Sequence, residues 1–434
     1  MSDSMVERRG AADPDGPPSA AAASQATPAT AESSVASAPA RDYAYYKAVF
    51  AGRTLPFAFC DLDLLERNMR DVLARAQGKR VRIASKSVRS VAMLRRILAA
   101  GASFQGIMCL TAREAVYLIS QGFDDVLIGY PVWHADDLAT VARATASGAR
   151  ITLMVDSLAH VERAEAVAQA QGVRLPLCLD IDMALALPGL HFGVWRSPVR
   201  TPEQARPIIE RIAASAYVWL DGIMGYEAQI AGVGDNAPGQ RLKNALIRQL
   251  KRRSAQVAAA RRAAVVTLAS ACGASLRFVN GGGSGSIATT RREAAVTEIT
   301  VGSAFYNPAL FDYYRDFRYQ PAAGFAIEIV RQPAPGIYTC LGGGYTASGG
   351  PGKDKQPQPY LPPGARLDPL EGAGEVQTPV HYAGSERLAP GDPIFLRHAK
   401  AGELCERFTH LLLVRGGAVV DEVTTYRGDG QCFL

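Results

Sequence analysis

The chain has 434 residues, 48% of them apolar and 20% charged, and carries a formal net charge of +6. That length allows two domains and a large core. Its arginines are dispersed among acids rather than gathered in a basic stripe, which argues against nucleic acid and for small anions such as phosphates or carboxylates. No apolar run approaches the roughly 20 residues of a membrane span, and seven cysteines without a C-x-x-C pair indicate neither a disulfide framework nor a zinc knuckle.

In chain order, residues 1–40 are rich in Ala, Ser and Pro, with acids and no apolar leader core. They read as a disordered tail on a cytoplasmic protein. "FAFCD" (57–61) reads as a strand, and of the two acids at the start of the next helix, Asp63 reads as its N-cap. Short apolar runs then alternate with helical segments: "VRIAS", "FQGIM", "DVLIG", "ITLMVD", "LPLCLDID", "VWLDGIMG", "LRFVNG" and "TEITVG". The helical segments between them often close on glycine, as in "AREAVYLISQG". Strands apolar on both faces and joined by helices are parallel and buried. Eight of them over about 250 residues fit a (β/α)8 barrel of the TIM type. A doubly wound open sheet is the alternative, and the regular spacing favours closure.

Beyond about residue 321 the helical periodicity stops. Alternating runs such as "GFAIEIVRQ", "GIYTCL", "DPIFLRHAK" and "THLLLVRGGAVVDEV" take over, punctuated by Gly and Pro. The expected organisation is a tail (1–40), a barrel (41–320) and a smaller all-β C-terminal domain (321–434).

Only eight of the 47 basic residues are lysine, and Lys86 directly follows "VRIAS". Barrel enzymes place their chemistry at such strand ends, and a lysine offers what arginine cannot, an amine able to lose its proton. Past a later strand, "VNGGGSGS" (279–286) presents bare backbone N–H groups with the hydroxyls of Ser284 and Ser286, an anion cradle. No G-K-[ST] follows, and the G-x-G-x-x-G spacing with its downstream acid is missing, so neither a Walker loop nor a dinucleotide fingerprint is present. "TVGSAFYNP" adds Gly302 and Ser303 beyond the last strand, beside the first loop once the barrel closes. A strand-end lysine facing a phosphate cradle suggests pyridoxal phosphate, whose aldehyde forms an imine with the lysine while the phosphate anchors the other end.

At this point the sequence resembles the alanine racemase-like, fold-type III pyridoxal phosphate enzymes, in the branch of D-threonine aldolase and D-serine dehydratase. The resemblance rests on "RIASK", "LCLDIDM" with "HFGV", "GIMGYEAQI", "NGGGSGS", "ITVGSAF" and "LRHAK", and covers all but the tail. It implies a barrel followed by a β domain, with Lys86 as the imine-forming lysine. It also implies cofactor contacts from Tyr226, Asn280, Gly283, Ser284, Gly285, Gly302 and Ser303. His191 falls where the aldolases carry an arginine that meets the pyridine nitrogen.

The likeness further implies catalytic roles for His398, as the base that takes a hydroxyl proton, and for Lys400. The latter stands where relatives have a divalent-metal ligand, so the expectation is a metal-free site with Lys400 orienting the substrate. Glu403 or Cys405 completing a metal site with His398 is the alternative. Arg196 in "WRSP" reads as a substrate-carboxylate contact or as a solvated arginine.

The implied activity is retro-aldol cleavage of a D-configured β-hydroxy-α-amino acid to glycine and an aldehyde. Deaminating dehydration, racemisation with Tyr345 as a second base, a cofactor carrier and a phosphosugar enzyme stand as alternatives. The expected partners are a small amino acid and a second copy in a homodimer, with neither nucleic acid nor membrane.

Overall fold

The computed structural model describes residues 40–350, 352–400 and 402–433. The expected disordered tail therefore lies, but for its last residue, outside the described residues. Residues 41–434 cluster as one compact unit. Among the described residues no helix is long and apolar enough to cross a membrane.

In chain order the strands are β1 (Phe57–Asp61), β2 (Arg80–Ala84), β3 (Phe104–Cys109), β4 (Val126–Pro131), β5 (Ile151–Val155), β6 (Leu175–Asp180), a hairpin of β7 (Leu185–Leu187) and β8 (Leu190–Phe192), and β9 (Val218–Gly225). They continue with β10 (Phe278–Gly281), β11 (Glu298–Val301), β12 (Ala323–Ala334), β13 (Ile337–Leu341), β14 (Gln358–Leu361), β15 (Arg366–Leu367), β16 (Gln377–His381), β17 (Pro393–Arg397), β18 (His410–Arg415) and β19 (Ala418–Thr424). The eight runs expected to form a barrel do so: β10-β11-β2-β3-β4-β5-β6-β9 close on themselves. The eight strands of the β region, β12 to β19, join β1 in one nine-stranded sheet with β12 near its centre.

Although it falls within the segment 41–320 expected to be barrel, β1 is not a barrel strand. It lies in the nine-stranded sheet, antiparallel to β12 and parallel to β18. Its last residue, Asp61, caps the helix Leu62–Ala76 by accepting the N–H groups of Asp63 and Leu64 at 3.0 and 3.2 Å. The cap is thus Asp61 rather than Asp63, which instead sits in the first turn and accepts from Arg41 Nη2 at 2.6 Å. Two acids so close in sequence compete for the cap, and the extended backbone of Asp61 (φ −80°, ψ 107°) decides it.

The barrel interior is layered. Toward the strand starts, Arg82 is fully buried and donates from Nε to Glu298 Oε1 at 2.7 Å and from Nη1 to the Asp125 carbonyl at 2.8 Å. Arg277 joins Asp125 at 2.8 Å and Asp221 at 2.6 Å. Both guanidinium groups pack over the Phe278 ring, at 5.1 and 4.9 Å. These charges are tolerable in a core only because each is paired and hydrogen-bonded. Phe278 also belongs to an apolar layer with Leu127, Met154, Cys178 and Met224. Beyond that layer, at the strand ends, the barrel opens into a cavity.

Candidate active site

A cavity of about 290 Å3 opens at the C-terminal ends of the barrel strands. Its wall includes Lys86 from the turn after β2, Tyr130 at the end of β4, Arg196 from the segment after β8, and Tyr226 just past β9. Asn280, Gly283 and Ser284 from β10 and its loop, and Gly302 and Ser303 after β11, complete the barrel side. Ser348, Lys400 and Glu403 reach it from the β region. The structure thus brings together Lys86, Tyr226, Asn280, Gly283, Ser284, Gly302, Ser303 and Lys400.

The glycine loop is shaped by a residue that sequence reasoning passed over. Glu227, 1% exposed, accepts from Gly282 N–H at 3.1 Å, Ser286 Oγ at 3.0 Å, Arg262 Nη2 at 2.9 Å and Thr290 Oγ1. Gly283 N–H donates to Ser286 Oγ at 3.0 Å, which curls the loop. The next loop is tied to it, since Ala304 N–H donates to Ser284 Oγ at 3.0 Å. A Cβ on Gly283 would fall 2.7 Å from Ala231 Cβ, so only bare backbone passes there. The signal for Glu227 was available: an acid beside Tyr226 at an otherwise apolar strand end.

Asn280 is set from below. Its Nδ2 donates to Glu298 Oε1 and Thr300 Oγ1, each at 2.8 Å, linking the cavity floor to the Arg82 network. Burial pushes the Tyr226 phenol up to about 12, with Glu227 and Tyr130 adding to the rise. The Lys86 ammonium draws the Tyr130 phenol below its ordinary value, against burial and with help from Arg196.

Three expected site residues lie elsewhere. His191 does not line the cavity: it sits on β8 and its ring stacks on Trp195 at 3.8 Å and 4°. The cause is the β7–β8 hairpin, whose turn at 188–189 consumes the chain leaving β6 and brings Arg196 back to the strand end instead. There Arg196 donates to Asp180 Oδ2 at 2.6 Å and to the Gly129 carbonyl at 2.5 Å, with its guanidinium 4.8 Å from the Tyr130 ring centre. Burial pushes the Asp180 carboxyl up to about 7, while Arg196 pulls it down. Gly285 faces the short helix Ala228–Ala231, where a Cβ would lie 2.4 Å from the Ala231 carbonyl oxygen.

The third is His398, which is 0% exposed and does not line the cavity. Burial, with Arg397 nearby, depresses its imidazole to about 3. It is therefore neutral and a poor proton acceptor, and the role of a base on substrate does not suit it. The hydrophobic strand pattern of β17 continues through it and turns its side chain inward, whereas Lys400, two residues on, reaches the cavity. Lys400 Nζ donates to Ser348 O and Oγ, both at 3.1 Å. Burial draws its ammonium below the ordinary value, and Glu403 opposes this.

Among the described residues no three His, Cys, Asp or Glu side chains form a group arranged to hold a metal ion. Around His398 the donor set does not fit one: Lys400 brings a cation, and burial pushes the Cys405 thiol up to about 12, away from the thiolate that a metal takes. Tyr345 is not part of the cavity wall either; it packs on Phe325 and beneath the Arg407 guanidinium.

Residues 60–308 match the family model described as alanine racemase, N-terminal domain. Two curated relatives are 3-hydroxy-D-aspartate aldolases of Paracoccus denitrificans. The one from strain Pd 1222 is 28% identical over 262 residues, covering 60% of this chain and 62% of the relative. The other is 30% identical over 181 residues, covering 41% and 44%. The matched segments thus span less than two thirds of those relatives' length. Among solved structures, D-threonine aldolase from Filomicrobium marinum aligns at a TM-score of 0.74 and 19% identity, over 88% of this chain and 96% of that one. D-threo-3-hydroxyaspartate dehydratase from Delftia sp. HT23 aligns at 0.68 and 21% identity, over 86% and 98%. These likenesses show the fold, and the family match covers more than half of the sequence: the chain belongs to the alanine racemase N-terminal domain family.

Proposed function

We propose that the chain is a pyridoxal phosphate-dependent lyase that cleaves a D-configured β-hydroxy-α-amino acid to glycine and an aldehyde. The observation that carries this reading is a single cavity lined by both Lys86 and the Gly283–Ser284 and Gly302–Ser303 loops. The residues present fit the cofactor. Those two loops are clamped together, and the N–H groups of Ser284, Gly302 and Ser303 have no acceptor among the described residues. They would hold a phosphate. When bound, the cofactor supplies an imine-forming aldehyde and an electron sink for the carbon left by cleavage.

Lys86 contributes the amine that holds and releases that aldehyde. Arg196, pinned between Asp180 and the Gly129 carbonyl, presents a fixed cation to the cavity in the place foreseen for His191. With Lys86 and Lys400 it makes the cavity attractive to an amino acid carrying one or two carboxylates. That charge and the names of the curated relatives together support 3-hydroxyaspartate beside D-threonine as substrates.

We further infer that 41–320 carries the cofactor and 321–434 closes the cavity, in a cytoplasmic homodimer. An exposed apolar rim beside the site, with Trp133 at 54% and Trp195 at 81%, supports a second copy there.

The test is a proton NMR time course with pyridoxal phosphate, D-threonine or D-threo-3-hydroxyaspartate, with and without EDTA. Glycine with an aldehyde is the expected product pair, and activity is expected to survive EDTA. A 2-oxo acid with ammonia would replace the aldolase by a dehydratase.

A further inference from the structure

With His398 withdrawn into the core, the retro-aldol reading lacks a group to take the substrate's β-hydroxyl proton. The turn after Lys400 holds one. Glu403 lines the cavity, and its Oε1 accepts Ser348 N–H at 2.9 Å. Its other oxygen, Oε2, is buried and accepts no hydrogen bond among the described residues. A carboxylate oxygen in that position is costly unless a donor arrives.

Residues 402 and 404–406 are each held in place. Gly402 packs against the Lys86 carbonyl, Leu404 and Cys405 are fully buried, and Glu406 pairs with Arg89 at 2.7 Å and Arg427 at 2.5 Å. Ser348, which fixes Glu403, also receives Lys400 Nζ through its carbonyl and hydroxyl oxygens. A carboxylate and an ammonium are thus moored to one residue of the cavity wall.

We infer that Glu403 is the catalytic base of the cleavage and that Lys400 positions the hydroxyl before it. This rests on the reading of the chain as a β-hydroxy amino acid lyase. In the step, the β-hydroxyl O–H bond breaks and its proton moves to Glu403 Oε2. The oxygen electron pair forms the aldehyde C=O, the Cα–Cβ bond breaks, and its pair stays with the α-carbon. A proton then returns to that carbon and completes glycine, so no other reactant is consumed.

The experiment compares the cofactor-loaded wild type with Glu403→Gln and Glu403→Asp. It measures aldehyde release from D-threonine and D-threo-3-hydroxyaspartate, the absorbance change on adding glycine, and exchange of the glycine α-protons in D2O. Glycine has no β-hydroxyl, so its two readouts need Lys86 and the cofactor but not a hydroxyl base. Glu403→Gln is expected to lower kcat for cleavage about a hundredfold or more, leave both glycine readouts within about threefold, and regain part of the rate as Glu403→Asp. Cleavage unaffected by Glu403→Gln, or cleavage and glycine exchange falling together, would overturn the assignment. A wild type that exchanges glycine protons but cleaves neither substrate would overturn the lyase reading itself, and this assignment with it.

Discussion

Gly402 touches the backbone of Lys86: a Cβ on it would sit 1.8 Å from the Lys86 carbonyl oxygen and 2.8 Å from its carbonyl carbon. Its φ of +73° is also in the left-handed region. The β region therefore rests directly on Lys86, the residue proposed to supply the reactive amine. Gly402→Ala is expected to strain the backbone by about 1–2 kcal/mol and to push the turn off the lysine. Its melting temperature should fall, and its cofactor absorbance should differ from wild type. An alanine variant matching wild type in both would show that this contact is dispensable.

Lys86→Arg keeps the charge and much of the reach but cannot form an imine. It is expected to lower turnover by at least about three orders of magnitude while the fold stays intact. Borohydride treatment should fix the cofactor to the wild-type chain and not to the variant. Retention of covalent cofactor in Lys86→Arg would move the imine to another lysine, and Lys400 is the other lysine in the cavity wall.

The barrel was legible because its signal is local. Each of β2 to β6 and β9 to β11 is a short apolar run ended by a turn or helix start, and nothing distant is needed to identify it. β1 misled because its partners, β12 and β18, lie more than 260 positions away, and a strand's neighbours leave no mark within the strand. The 31-residue helix Arg241–Ala271 carries no readable stripe, since its inward face is Lys251, Ser254, Ala258, Arg262 and Val265. Their spacing is helical, but Arg262 is buried against Glu227, and pairing of that kind is invisible to hydropathy. In the site, the meeting of Lys86 and the two glycine loops in one cavity was legible from residue type and position alone. His191 was not placed correctly, because a hairpin turn shifts which residue of 190–196 returns to the barrel.

The exchange of His191 for Arg196 is open to direct trial. Arg196→Gln removes the cation that Asp180 holds in the cavity wall, and is expected to weaken cofactor or substrate binding about tenfold or more. His191→Ala loses only the stack on Trp195 and should leave both affinities within about twofold. Titrating the apo-protein with pyridoxal phosphate by absorbance, then with D-threonine, separates the two. The opposite pattern would return the ring-facing role to His191.

The ring nitrogens of His398 are both buried without a hydrogen-bond partner among the described residues. Burial first, and Arg397 second, lower its folded value to about 3, whereas an unfolded chain would protonate it near about 6.5. Between those values the unfolded state binds the extra proton, so stability is fully present above about 6.5 and drains away as the pH falls toward 3. His398→Leu removes the titration and fills the same space without orphaned polar atoms, which is near neutral or stabilising at pH 8. Its melting temperature should therefore fall less steeply than wild type between pH 6.5 and 4. Because the imidazole is outside the cavity wall, cleavage should also persist within about tenfold in this variant. A thousandfold loss with the fold intact would restore His398 to the chemistry and remove the need for Glu403.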